Sequence, residues 1–274
     1  MTPAMFFVIG LLGYAVVQAF ITSLHRVQII YLDEPFVGLN NYLELFKDPS
    51  FHYSLIRTVI FVAASVGLGT LIAIIFSLCL YHVRRFSNIF RGISLIPYLV
   101  SGVAGGIMWR FVFSGSAGLI NMVLKTYGFT GDISWLGHPN RALLAIILAN
   151  VWRITPFSTL ILLAGLQSIN SEILDAANVD GATGFKNFFY IKLPLILPMM
   201  SVSTIWLNFA SFNTIDVILP MTGGGPGRAT ELLAVNLYKM AFKHLNFSSA
   251  SAMMIILLII NVSVSVITLK KLKI

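Results

Sequence analysis

Long apolar stretches alternate with short polar connections along the chain. Six stand out, from about Thr2 to Leu24, Ser54 to Tyr81, Asn88 to Phe113, Arg141 to Leu166, Leu193 to Pro220 and Ser248 to Leu269. Each reaches the roughly 20 residues that a helix needs to cross a hydrocarbon core. The pattern predicts helices, because a backbone facing lipid must satisfy its own hydrogen bonds. A β-barrel would instead show short alternating segments. The expectation is an all-α membrane protein with six transmembrane helices. It divides into a first helix and loop over residues 1–53 and a core over 54–274, with no internal repeat or low-complexity linker.

Composition agrees: 57% of the 274 residues are hydrophobic and 10% are charged. A soluble domain carries about 25% charged residues and exposes too much surface to hide this much apolar area. The formal charge of +8 suits basic residues retained in cytoplasmic loops better than a nucleic-acid surface. Arg84, Arg85 and Arg91 follow the second span, and Lys270, Lys271 and Lys273 end the chain. With six spans these clusters share one side, which the rule makes cytoplasmic; both termini and residues 167–192 then lie there too. The first loop, with Arg26 and Lys47 against Asp33, Glu34, Glu44 and Asp48, suits the outside. Residues 221–246 carry Arg228, Lys239 and Lys243 and fit the outside only loosely.

Several kinds of chemistry are excluded or disfavoured. Cys79 is the only cysteine, so there is no disulfide framework or cysteine metal site. The start, MTPAMFFVIG, lacks the basic region of a cleaved signal peptide, so the first run is expected to persist as a helix. No Gly-x-x-x-x-Gly-Lys-Ser/Thr loop occurs, so ATP would be handled by another chain. The histidines His25, His52, His82, His138 and His244 are scattered, without metal-ligand spacing. Gly102, Gly105 and Gly106 suit close helix packing.

The connection over 168–192 is the most informative segment. Ser171 is placed to cap a short helix carrying Glu172 and Asp175, with Asp180 beyond. Ile173, Leu174, Ala176 and Ala177 make a compact apolar face, and Gly181 permits a sharp turn. Phe185, Phe188, Phe189 and Ile191 are expected to form a second apolar face, and Pro194 to begin the next span. Interfacial helices that rest on lipid favour Lys and Arg on their polar face. This one is acidic, which suits a protein partner better than an anionic leaflet.

The run Asp175-Ala176-Ala177, three residues, Gly181, nine residues, then Ile191-Lys192-Leu193-Pro194 resembles the "EAA" loop of ABC importer permeases. Asp175 stands where that family usually has Glu. Phe36-Val-Gly-Leu-Asn-Asn-Tyr42 with Lys47-Asp48-Pro49 and Phe51 is similar to the start of the core in sugar-type members. Thr222-Gly-Gly-Gly-Pro226 with Tyr238 and Ala241-Phe242 resembles the outer loop of maltose-F and glycerol-phosphate-A type subunits. The resemblance implies a type I importer permease fold, of the MetI-like kind, and a non-catalytic subunit without a cofactor of its own. Partner ATPases would bind ATP and Mg. It further implies a second permease, two ATPase subunits, an extracytoplasmic solute-binding protein, a carbohydrate cargo and a bacterial cell membrane. The loop would then be a coupling helix, with Glu172, Asp175, Ala176, Ala177, Gly181, Phe185 and Phe188 meeting the ATPase.

Arg153 lies roughly 18 Å along a helix that starts near Arg141, at 1.5 Å per residue. A charge there is usually turned to a bundle interior or water. Leu207, Ser211, Thr214 and Ile218 share a stripe on the fifth stretch, where polar groups serve either as interhelix glue or as a solute path. The resemblance to maltose-type permeases implies a path through Asn150, Ile154 and Phe157, with Arg153 beside them, and Leu207, Ala210, Ser211 and Thr214 opposite. The alternatives are an ion-coupled secondary transporter, which usually shows an internal repeat, and a membrane-embedded enzyme, which would need clustered His or carboxylates.

Overall fold

The computed structural model describes residues 2–27, 34–83 and 87–271. Asp33, Arg84, Arg85 and Lys273, used above for orientation, lie outside the described residues. Helices account for the architecture; among the described residues there is no strand, only an isolated bridge between His25 and Phe36. Three helices are each long and apolar enough to cross a membrane: α3 (Pro49–His82), α7 (Pro139–Gln167) and α14 (Phe247–Lys271). The apolar helix α1 (Thr2–Ser23) and the short α2 (Asn40–Lys47) precede them.

α3 and α7 form the centre of the bundle. Along α3 the buried positions Ser54, Thr58, Phe61, Ser65, Gly69, Ala73 and Ser77 recur at helical spacing, mostly with small side chains. Small residues let helices approach closely in a membrane, where apolar burial alone supplies no driving force. A Cβ at Gly69 would stand 3.2 Å from Leu207 and 3.4 Å from Thr155, so three helices meet at this glycine. Asp48 starts α3 cleanly: its side chain accepts from the Ser50 N–H at 2.8 Å, and Pro49 follows at the first helical position.

The third and fifth apolar stretches were expected to be continuous helices, and both are broken. The third divides into α4 (Ser87–Leu99) and α5 (Gly102–Val112), bent by 89°. Pro97 lacks the N–H that would continue the ladder, and Ser101 caps the new helix by accepting from the Ala104 N–H. A short helix α6 (Leu119–Thr126) then leads towards α7. After α7 come α8 (Ser171–Val179), α9 (Phe185–Asn187), a π turn over Phe188–Lys192 and α10 (Leu193–Leu195).

The fifth stretch bends by 73° before α11 (Leu197–Phe212), so the straight span begins at Leu197 and not at Pro194. Pro198, without an N–H, fixes that start. It breaks again at Asn213, whose side chain donates to the Phe209 carbonyl at 2.9 Å, an oxygen that also accepts from the Asn213 backbone N–H at 3.3 Å. α12 (Ile215–Thr222) and α13 (Leu233–Phe242) complete the chain before α14. α5 packs on α12, α11 on α7 and α3, and α1 and α13 on α14. Gly102 and Gly106 allow the α5–α12 approach: a Cβ at Gly106 would lie 2.5 Å from the Val217 carbonyl oxygen, and one at Gly102 would overlap Asp216.

Candidate functional site

α8 begins one residue earlier than Ser171 suggested. The cap is Asn170, whose Oδ1 accepts from the Glu172 N–H at 3.0 Å. The helix stops at Asp180, and Gly181 turns the chain at φ +78°, a left-handed value that a Cβ disfavours. The expected compact face is split. Leu174 and Ala177 turn inward, while Ile173, Ala176 and Val179 are exposed together with Glu172 and Asp175.

The second apolar face is split as well. Phe188 and Ile191 point inward, whereas Phe185 is 83% exposed and Phe189 also faces out. Tight turning by a three-residue helix and a π turn accounts for this, since neither keeps the 3.6-residue period. The far end of the segment is tied to α3, with the Lys192 ammonium 5.0 Å from the Tyr81 ring centroid. Between α3 and this segment lies a groove of about 730 Å³, walled by Leu78, Tyr81, Leu174, Phe185 and Phe188. An acidic, partly apolar helix thus projects from one end of the bundle on an anchored stalk.

The second cluster joins α7 to the junction of α11 and α12. Asn150 Nδ2 donates to Ser211 Oγ at 3.2 Å, and Thr214 Oγ1 donates to Asn150 Oδ1 at 2.7 Å. Arg153 Nη2 donates to Thr214 Oγ1 at 3.4 Å, and Nη1 stands 3.5 Å from Asp216 Oδ2. Asn150, Ile154, Leu207, Ala210, Ser211 and Thr214 are buried between helices in this conformation, and Arg153 and Phe157 keep some exposed surface. Ile154, Leu207 and Ala210 pack on one another, with Val66 and Trp206 beside them. One turn from Arg153, Phe157 meets Tyr98 at 5.2 Å and Trp206 at 4.7 Å between ring centroids.

The glycine loop forms a third feature. The Gly225–Pro226 bond is cis, and Gly223, Gly224 and Gly227 all take positive φ. Glu231 is buried between two cations, 2.8 Å from Arg228 Nε and in contact with the Lys239 ammonium. Arg228 also reaches back to the Ser50 hydroxyl at 2.6 Å. Two of the three basic residues that sat awkwardly in this loop are therefore committed to an internal carboxylate.

Sequence reasoning missed three participants. Asn170 is as favourable a capping residue as Ser171, and only the bond from the Glu172 N–H separates the two. Glu231 was detectable as the one acid among three bases in its loop. The pairing of Asp216 with Arg153, 63 residues away in sequence, left no local signal.

Residues 65–269 match the family model described as binding-protein-dependent transport system inner membrane component. The trehalose/maltose transport system permease protein MalF of Thermococcus litoralis is 38% identical over 258 residues, covering 93% of this chain and 86% of that one. The sn-glycerol-3-phosphate transport system permease protein UgpA of Yersinia pestis is 34% identical over 239 residues, covering 86% and 80%. In fold, the chain is similar to a crystal structure of a bacterial ABC transporter involved in the import of the acidic polysaccharide alginate. The TM-score is 0.82 at 19% identity, over 99% of this chain and 92% of that one.

Proposed function

The chain belongs to the family of binding-protein-dependent transport system inner membrane components, and from that membership we propose how it works. It is a permease subunit of an ABC importer, and its cargo is a sugar or sugar-like solute, the class named for its trehalose/maltose and glycerol-phosphate relatives. It pairs with a second permease, receives cargo from a solute-binding protein and is driven by two ATPase subunits that hold ATP and Mg. Both termini and Gly181 face the cytoplasm, and Gly224 faces outward.

The observation that carries the coupling assignment is the exposed helix α8, held between α7 and the Lys192–Tyr81 contact. Its outward residues Glu172, Asp175 and Ala176 meet an ATPase cleft, with Phe185 beside them. Ala177, Gly181 and Phe188 set the shape of the segment behind that surface. The solute path runs by Arg153 and Phe157. Asn150, Ile154, Leu207, Ala210, Ser211 and Thr214 form its inner wall, reached when the helices part. ATP-driven closure of the ATPases moves α8 and switches the packing of the bundle.

Affinity purification from membranes tests the assignment. The chain is expected to bring down an ATPase and a second permease, and to hydrolyse no ATP when isolated. A stable preparation of this polypeptide alone that hydrolyses ATP would overturn it.

A further inference from the structure

We infer that Arg153 and Asp216 form a latch, which holds the α5–α12 unit against α7 in the resting state and opens once per transport cycle. The inference rests on the reading above that the chain works within an ATP-driven importer. Gly102 and Gly106 let α5 and α12 pack closely on each other, which suits the two helices to move as one body. At their N-terminal ends both helices join the bundle through a break, the 89° bend between α4 and α5 and the junction at Asn213–Thr214. Broken helices concentrate backbone rotation at such points, and hinges are a few residues at element ends. Val217, Ile218 and Met221 of α12 share an apolar cluster with Leu143, Ile146 and Ile147 of α7. Apolar contact of this kind is non-directional and tolerates small shifts.

The polar contact at the hinge has two distinct states, made and broken. It is also under-satisfied. Arg153 makes two long contacts, at 3.4 and 3.5 Å, and its buried Nε has no partner; Asp216 uses Oδ2, while its buried Oδ1 has none. Their side chains are 17% and 37% exposed. Glu231 provides the contrast within the same molecule: both of its oxygens are taken, by Arg228 and by Lys239, and its side chain is only 6% exposed. A fully satisfied buried pair is costly to open, because each charge is left uncompensated. A pair with spare donors and acceptors at a partly open site can exchange its partner for water or a solute hydroxyl at lower cost. Asp216 also lies over Gly102, so opening the pair frees the start of α5 as well as the start of α12.

Removing one charge would disturb folding under any interpretation, so the decisive variant neutralises both. Arg153→Met/Asp216→Asn is compared with wild type in the complete complex in liposomes, and ATP hydrolysis is measured without the solute-binding protein. A latch predicts that the double variant assembles normally and hydrolyses at least about fivefold faster than wild type, the lower range of a typical coupling between sites. A purely structural pair predicts the wild-type resting rate for the double variant, and that result would overturn the proposal. One milder variant keeps the test decisive if the double variant fails to assemble. Thr214→Val removes the second Arg153 contact, together with the bond to Asn150, and should raise the resting rate by about twofold, as a weaker version of the same coupling. A wild-type resting rate in this variant would refute the latch. A wild-type complex that assembles, but whose hydrolysis is unmoved by the loaded binding protein, would instead contradict the importer reading.

Discussion

Gly181 is the residue on which the coupling segment turns. Its φ of +78° lies where β-branched residues are strongly disfavoured, yet nothing stands within 4 Å of a Cβ built there. The effect of Gly181→Val is therefore backbone strain alone, about 1–3 kcal/mol, enough to displace α8. The variant should insert normally but lose the link between ATP hydrolysis and uptake, or lose the ATPase. Wild-type values for both rates would contradict the assignment. Asp175 is exposed, so Asp175→Asn should have a small effect, a surface pair being worth about 0–1 kcal/mol. Asp175→Lys should be worse, because it would repel a basic partner. Gly106→Ala should lower the thermal stability of the complex, by about 1–3 kcal/mol of overpacking, since its Cβ would press on the Val217 carbonyl. Gly181 was legible in the sequence because a glycine after an acidic helix has a local reason to be there. Asp216 has no such local signal, because its partner Arg153 is brought to it by packing.

At the scale of elements, the sequence located the apolar stretches well and their interruptions badly. Pro97 and Pro198 are breakers that a long apolar run concealed, since tertiary contacts decide whether a proline kinks a helix or ends it. At the Asn213 break the side chain joins its own backbone N–H on the Phe209 carbonyl, an arrangement that propensity does not report. The faces of α8 and the π turn diverged from expectation for a related reason. Apolar residues there are shared between the bundle and an exposed surface, and periodicity cannot separate the two. Removing the α8 cap tests that element directly. Asn170→Ala should cost about 1 kcal/mol of helix stability, increase proteolytic cleavage near residues 171–179 and weaken recovery of the ATPase during purification. Unchanged cleavage and recovery would show that α8 is held by contacts other than its cap.

For the whole molecule, the helical class was readable from hydropathy because lipid permits few backbone solutions; of the described residues, three helices and two bent pairs are long and apolar enough to span. Orientation was argued from basic clusters, and the loop that fitted least well is explained by Glu231, which occupies Arg228 and Lys239 within the fold. Single cysteines at positions 181 and 224 should label from opposite sides, with 224 reached from outside the cell; the reverse pattern would invert the topology. The central claim is that this chain conducts solute only as part of an ATP-driven assembly. Uptake into proteoliposomes tests it most directly, using labelled trehalose and sn-glycerol-3-phosphate among the solutes and the cognate binding protein. The account predicts ATP-dependent accumulation of a hydroxyl-rich solute with the full set of subunits and none with this chain alone. Accumulation by the chain alone, driven by an ion gradient without ATPase subunits, would contradict it.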